Sequence, residues 1–186
     1  MTVATIRNQI GEELANLTAL LTHLSNVVEE QLEVAEKGKL VSLHLNQKLF
    51  TLLIRHKGIL ESESRKYAGD FEVSSKELFT SFLGKAAGMY NRMRDYPESR
   101  AMRDNYTALS LLAATLTSLK TYGLMVGDKN VSKMAYDMLE EVCPLIVEFS
   151  HGMVEVVARE AAQREGLAYK PEVVERVTNA VKRCWS

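Results

Sequence analysis

Apolar residues recur at steps of three and four along almost the whole chain, a period that admits amphipathic helices and excludes half-buried strands. Alternation at every second residue between turn signals is hard to find anywhere. Only three prolines interrupt the pattern, Pro97, Pro144 and Pro171. The first stripe, Ile6, Ile10, Leu14, Leu17, Leu21, Leu24, Val28, Leu32 and Ala35, predicts a helix from about residue 4 to 37 with Gly38 as its stop. Leu45, Leu49, Leu52, His56, Ile59 and Glu63 predict a second helix over roughly residues 40 to 68, ending at Gly69-Asp70. The short linkage at Gly38 makes these two an antiparallel hairpin.

Ser74 followed by Glu77 reads as a capping box opening a shorter helix that carries Leu78, Phe79, Phe82, Leu83, Ala86 and Tyr90. Tyr96-Pro97 breaks it. A third long helix resumes near Glu98 or Ser99, with Asn105, Leu109, Leu112, Leu116, Leu119 and Gly123 along one side, and stops at Gly127-Asp128. Asn130 is the expected N-cap of a fourth, whose stripe of Ala135, Leu139, Val142, Ile146, Phe149, Met153 and Val156 extends to about residue 165. After Gly166, Pro171 opens a final short helix with Val173, Val177, Ala180 and Val181 on its apolar side, followed by Trp185. The 186 residues, 46% of them hydrophobic, suffice for one sizeable core. The expected organisation is an all-α four-helix bundle over residues 1–165, two antiparallel hairpins joined by a long crossover that contains a short helix. Residues 166–186 are a helical extension packed on the bundle or on a second subunit.

A resemblance adds to this pattern. Arg103-Asp104-Asn105-Tyr106 through Thr121-Tyr122-Gly123, then Val126-Gly127-Asp128 and Leu139-Glu140-Glu141, resemble the third and fourth helices of bacterial ferritin-like proteins linked to stress responses. The likeness is best over residues 100 to 160 and extends to the first hairpin only by pattern. It implies the ferritin-like bundle and, in members with an intact centre, a pair of iron or manganese ions. Such a centre takes one Glu from each of two helices and a Glu-x-x-His from each of the other two, because two hard cations need bridging carboxylates together with imidazoles.

The ligand set is incomplete here. From Asn105 to Gly127 there is no Asp, Glu or His, and Ser118 stands where the resemblance places a glutamate. His56 has Leu53 three positions before it, so that Glu-x-x-His lacks its carboxylate. Glu29, Glu30 and Glu33 turn away from the stripe through Val28, leaving Glu13 and Gln31 at the edge of the first helix's buried face. Glu148 and His151 form a literal Glu-x-x-His, yet with Glu155 they are expected to face outward, opposite Val142, Ile146, Phe149 and Met153. A solvated polar face accounts for them, and a metal bridged between subunits is the functional alternative. Glu141, on the same side as Glu148, aligns with the family's carboxylate on the fourth helix.

His56 and Glu63 differ from these because both stand inside an apolar stripe, about 10 Å apart along the axis, so each needs a partner elsewhere. They are satisfied core groups, or they are the polar contacts of a small ligand. Cys143-Pro144 resembles a haem-sensing dipeptide but falls on the outward side of its helix. Methionines such as Met134, Met138 and Met153 read as core filling, since no Met-x-x-Met pair suited to copper occurs.

Charge is balanced, 23 Lys and Arg against 24 Asp and Glu, which gives no field to draw nucleic acid or anionic lipid. The longest weakly polar stretch, Ala108 to Leu119, is short of the roughly 20 residues that cross a bilayer. The N-terminus lacks the features of a secretory signal, and Cys143 and Cys184 form no CxxC pair. A cytoplasmic protein is expected, with no membrane or nucleic-acid partner. The expected function is that of a ferritin-like bundle without a working metal pair, serving as a scaffold, an interaction module or a binder of a small polar or apolar ligand. It is expected to form a homodimer, with no favoured cofactor and no catalytic residues. The alternative is an iron or manganese oxidase drawing on Glu13, His56, Glu63 and Glu141.

Overall fold

The computed structural model of the chain describes residues 3–67 and 97–184. Among these residues every regular element is helical: α1 (Val3–Gly38), α2 (Leu43–Tyr67), α3 (Glu98–Val126), α4 (Lys129–Glu165) and α5 (Pro171–Cys184). The four long helices fall where the apolar period puts them, within a few residues. The short helix read after Ser74, the stop at Gly69-Asp70 and the terminal Trp185 lie outside the described residues.

One apolar core joins the four long helices, with Leu14, Leu17 and Leu21 of α1, Leu49, Leu53 and Leu60 of α2, Leu109, Leu112 and Leu116 of α3, and Val142 and Phe149 of α4. Around it α1 lies against α2 and α3, and α4 against α3 and α2. Polar ties at the ends fix the directions. The Ser42 amide donates to Glu98 Oε1 at 2.6 Å, so the starts of α2 and α3 meet at one end. At the other end the Tyr67 hydroxyl donates to Asp128, joining the close of α2 to the α3–α4 turn. Neighbouring helices are thus antiparallel, and the connection from Tyr67 to Pro97 has to link opposite ends of the bundle.

The caps depart from the sequence reading at two places. Gly38 belongs to α1, and the left-handed residue after it is Lys39, with φ +50°. The Leu40 amide bonds to Ala35 O at 2.9 Å and the Lys39 amide to Glu36 O at 3.3 Å, the paired bonds of a Schellman turn. A side chain in that conformation costs about 1 kcal/mol. Lys39→Gly is therefore expected to stabilise the fold by about 0.5–1 kcal/mol once glycine's extra freedom in the unfolded chain is counted. Urea unfolding followed by circular dichroism measures it, and an unchanged or lower stability would contradict the assignment. At the other hairpin the N-cap of α4 is Asp128, not Asn130: its carboxylate accepts from the Asn130 and Val131 amides, each at 3.1 Å.

The second helix is also rotated relative to its expected stripe. Asn46, Leu53 and Leu60 are buried, while Ile59 is 39% exposed, so the Ile59–Glu63 edge faces α4 from outside the core. The final helix lies against α4. Its grip is shallower than expected, however: no residue of α5 is buried, and Val173 and Val177 stay exposed. Val174, Thr178 and Val181 are its half-covered side.

Candidate functional site

The antiparallel pairing of α2 and α4 brings sequence-distant polar residues to one cleft. On α2, His56, Ile59 and Glu63 follow at steps of three and four; on α4, Met134, Met138 and Glu141 do the same. These six, with Asn130, Asp137 and two lysines, Lys66 and Lys133, line a cleft of about 330 Å³. Ile59, Met134 and Met138 supply an apolar wall between polar ends.

His56 anchors the cleft. It is 1% exposed, and its Nε2 lies 2.8 Å from Glu141 Oε2. Glu141 also takes a charged hydrogen bond from Arg55. A carboxylate only accepts, so Nε2 carries the hydrogen and the neutral ring's Nδ1 is an acceptor. That Nδ1 is enclosed and has no hydrogen-bond partner among the described residues. Glu63 repeats the situation one heptad away. Its Oε1 pairs with Lys66 at 2.6 Å, while Oε2 is enclosed without a partner among the described residues. Two residues that line the cleft thus each carry an enclosed acceptor without a donor among the described residues, a costly arrangement unless water or a ligand supplies one.

Burial pushes the His56 imidazole below its ordinary 6.5, and Arg55 adds to this, although the bond and charge of Glu141 pull the other way. The unfolded chain therefore takes up a proton near pH 6.5 that the folded chain refuses. Stability is fully present above about 6.5 and falls as the pH drops toward the lowered folded value, by at most about 1.4 kcal/mol per pH unit per group. His23, lowered by burial as well, contributes with the same sign. Glu13 and Glu30, both raised, favour the folded state on acidification and oppose the trend. His56→Gln leaves those groups in place, so the variant is expected to lose stability less steeply than the natural protein between pH 6.5 and 5. Parallel curves from denaturant titrations at each pH would show that His56 is not the group responsible.

The other expected ligands are dispersed. Glu13 sits half-buried on α1, raised first by burial and then by Glu12. Glu148 and His151 do not simply face water, a correction to the sequence reading. Both are half-buried, because α2 and α5 cover the side of α4 that the helical wheel left free. Glu148 pairs with Lys48 of α2 at 2.5 Å, and Glu155 accepts from the Tyr169 hydroxyl, just before α5, at 2.7 Å. His151 Nε2 is enclosed without a partner among the described residues. Cys143 and Cys184 are exposed free thiols.

Among the described residues no three His, Cys, Asp or Glu side chains converge as a metal ion requires. Glu141 and Glu63 each have one carboxylate oxygen engaged by a cation, Arg55 and Lys66 respectively. Among the described residues the side chains do not fit an iron or manganese pair.

A second polar group went unread in the sequence. The Asn105 side-chain amide donates to Gln31 Oε1 at 2.7 Å and to Asn46 Oδ1 at 3.2 Å, joining α3 to α1 and α2 inside the core. Asn105 stood in the apolar stripe of its helix, and Gln31 at the edge of another. The signal was an amide at a core position with no local partner. No family model, no curated protein and no solved structure matches the chain.

Proposed function

We propose that this is a ferritin-like bundle that binds a small organic molecule in the α2–α4 cleft rather than a dinuclear metal centre. The observation that carries the reading is a cleft with an apolar wall whose lining residues His56 and Glu63 each keep an enclosed acceptor, Nδ1 and Oε2, without a donor among the described residues, so that a small side-chain shift toward the cleft would offer both to a ligand. The occupant that suits them has N–H or O–H donors on an apolar body. Its ferritin-like character is supported by the resemblance of residues 100 to 160 and by hairpins whose connected ends lie at opposite ends of the bundle. A cytoplasmic place and a part in a stress response are proposals from the sequence alone.

Native mass spectrometry of gently isolated protein tests the reading. The expected result is a bound organic molecule near one per chain, lost in His56→Leu while the helical circular dichroism is retained. An empty protein would sink the binding role. Near-stoichiometric iron or manganese lost in His56→Leu, with oxygen-dependent turnover, would replace the proposal by the oxidase.

A further inference from the structure

The α2–α4 cleft does not end at Glu63. A second hollow of about 440 Å³ continues it, sharing Glu63, Lys66 and Asn130 with the cleft and adding Arg7, Tyr67 and Asp128. Most of the charge along this joined trough is already matched. Lys66 pairs with Glu63 Oε1, Lys133 with Asp137, and Glu141 with Arg55 and His56. The Asp128 carboxylate accepts from Tyr67 on one oxygen and from the Asn130 and Val131 amides on the other. What is left over among the described residues is one cation and one carboxylate oxygen. Arg7 is exposed and makes no ion pair or hydrogen bond among them, although its charge reaches Asp128. Glu63 Oε2 has no donor there.

We infer that the molecule held in the trough is a free, zwitterionic α-amino acid with an aromatic side chain, an inference that rests on the binding role proposed for the cleft. Its carboxylate meets Arg7, whose planar fork suits that group, and its ammonium meets Glu63 Oε2. Glu63 lines both hollows with its side chain 17% exposed, so a small turn brings Oε2 to the ligand. Charge selects the class. A simple anion would gain Arg7 but meet the carboxylates of Glu63 and Asp128, and a simple amine would gain Glu63 but lie beside Arg7, Lys66 and Lys133. A zwitterion answers both leftover groups and adds no net charge. The side chain then lies along Ile59, Met134 and Met138, where the thioethers suit an aromatic ring. A donor at the far end of that ring, an indole N–H or a phenol hydroxyl, supplies His56 Nδ1, one heptad or about 10 Å from Glu63 along α2.

Titration calorimetry on dialysed protein tests this with L-tryptophan, L-tyrosine, tryptamine, which lacks the carboxylate, and indole-3-propionate, which lacks the ammonium. At least one of the two amino acids should bind near one per chain, and the two truncated compounds at least about tenfold more weakly than L-tryptophan or L-tyrosine. Arg7→Gln, at an exposed helical position, should lower the amino acid's affinity to that of tryptamine and leave tryptamine unchanged, with Arg7→Lys recovering part of the loss. Failure of both amino acids to bind overturns the inference, and so does binding indifferent to Arg7→Gln in a variant that keeps its helical circular dichroism. The molecule released from freshly isolated protein separates this from the cleft reading. An occupant lost in His56→Leu that is not an amino acid overturns the inference and keeps the cleft as a binding site. A protein that carries no occupant and binds none of the four compounds loses both.

Discussion

Replacing Asn105 by alanine is expected to destabilise the protein by about 2–4 kcal/mol, because two buried acceptors lose their donor at once. The Asn105 amide is the shared donor for Gln31 and Asn46, and the three residues are 2%, 8% and 2% exposed in that order. An enclosed acceptor left without a donor costs about 1–3 kcal/mol, and Gln31, nearest the surface, recovers part of this from water. The loss should vanish when the whole group is made apolar: Asn105→Leu with Gln31→Leu and Asn46→Leu is expected to be near neutral. What the triple variant loses is specificity, since the amides tie three particular helices together at one level. Denaturant unfolding followed by circular dichroism measures both. A single variant costing under about 1 kcal/mol would mean that water already satisfies the group.

The helices were legible because an apolar stripe reports burial directly, and most of their limits follow from Pro97, Gly127, Gly166 and Pro171, while Pro144 lies inside α4. Errors came where two faces of one helix compete. Ile59 and Glu63 continue the step of Leu49, Leu52 and His56, so the wheel placed them inside. The core instead takes Leu53 and Leu60, and the residues left over form the cleft edge. Glu148 failed in the opposite direction, because a wheel drawn for one helix cannot show that Lys48 stands across from it. The His56–Glu141 contact joins residues 85 positions apart, and only the α2–α4 pairing creates it. Pairing between helices, unlike their period, leaves no local trace, and so the site was found as single residues rather than as a cleft.

A graded series at Gly123 is expected to show the tightest constraint on that pairing. A Cβ at Gly123 would stand 2.9 Å from the Ser132 amide nitrogen and 3.2 Å from both Asp128 O and Ser132 Cα. All three are backbone atoms, so no side chain can swing aside and the first turn of α4 must move. Overpacking of this kind costs about 1–3 kcal/mol, of which alanine returns up to about 1 kcal/mol through its helix propensity. Gly123→Val gains less from propensity and adds two more carbons, so a loss near 3 kcal/mol is expected, with Gly123→Ala clearly smaller. Gly58 is the control: it lies on the exposed side of α2, and its added Cβ would meet nothing within 4 Å. There the same Gly→Ala change should stabilise by up to about 1 kcal/mol. The displacement at Gly123 also reaches the site, because Asn130 on that first turn and Lys133 and Met134 on the next line the cleft. Gly123→Ala should therefore weaken retention of the bound molecule while the protein remains folded, which native mass spectrometry can read. Equal stabilisation at Gly58 and Gly123 in parallel urea titrations would show that the α3–α4 corner has slack, and that the α4 wall of the cleft is not held by it.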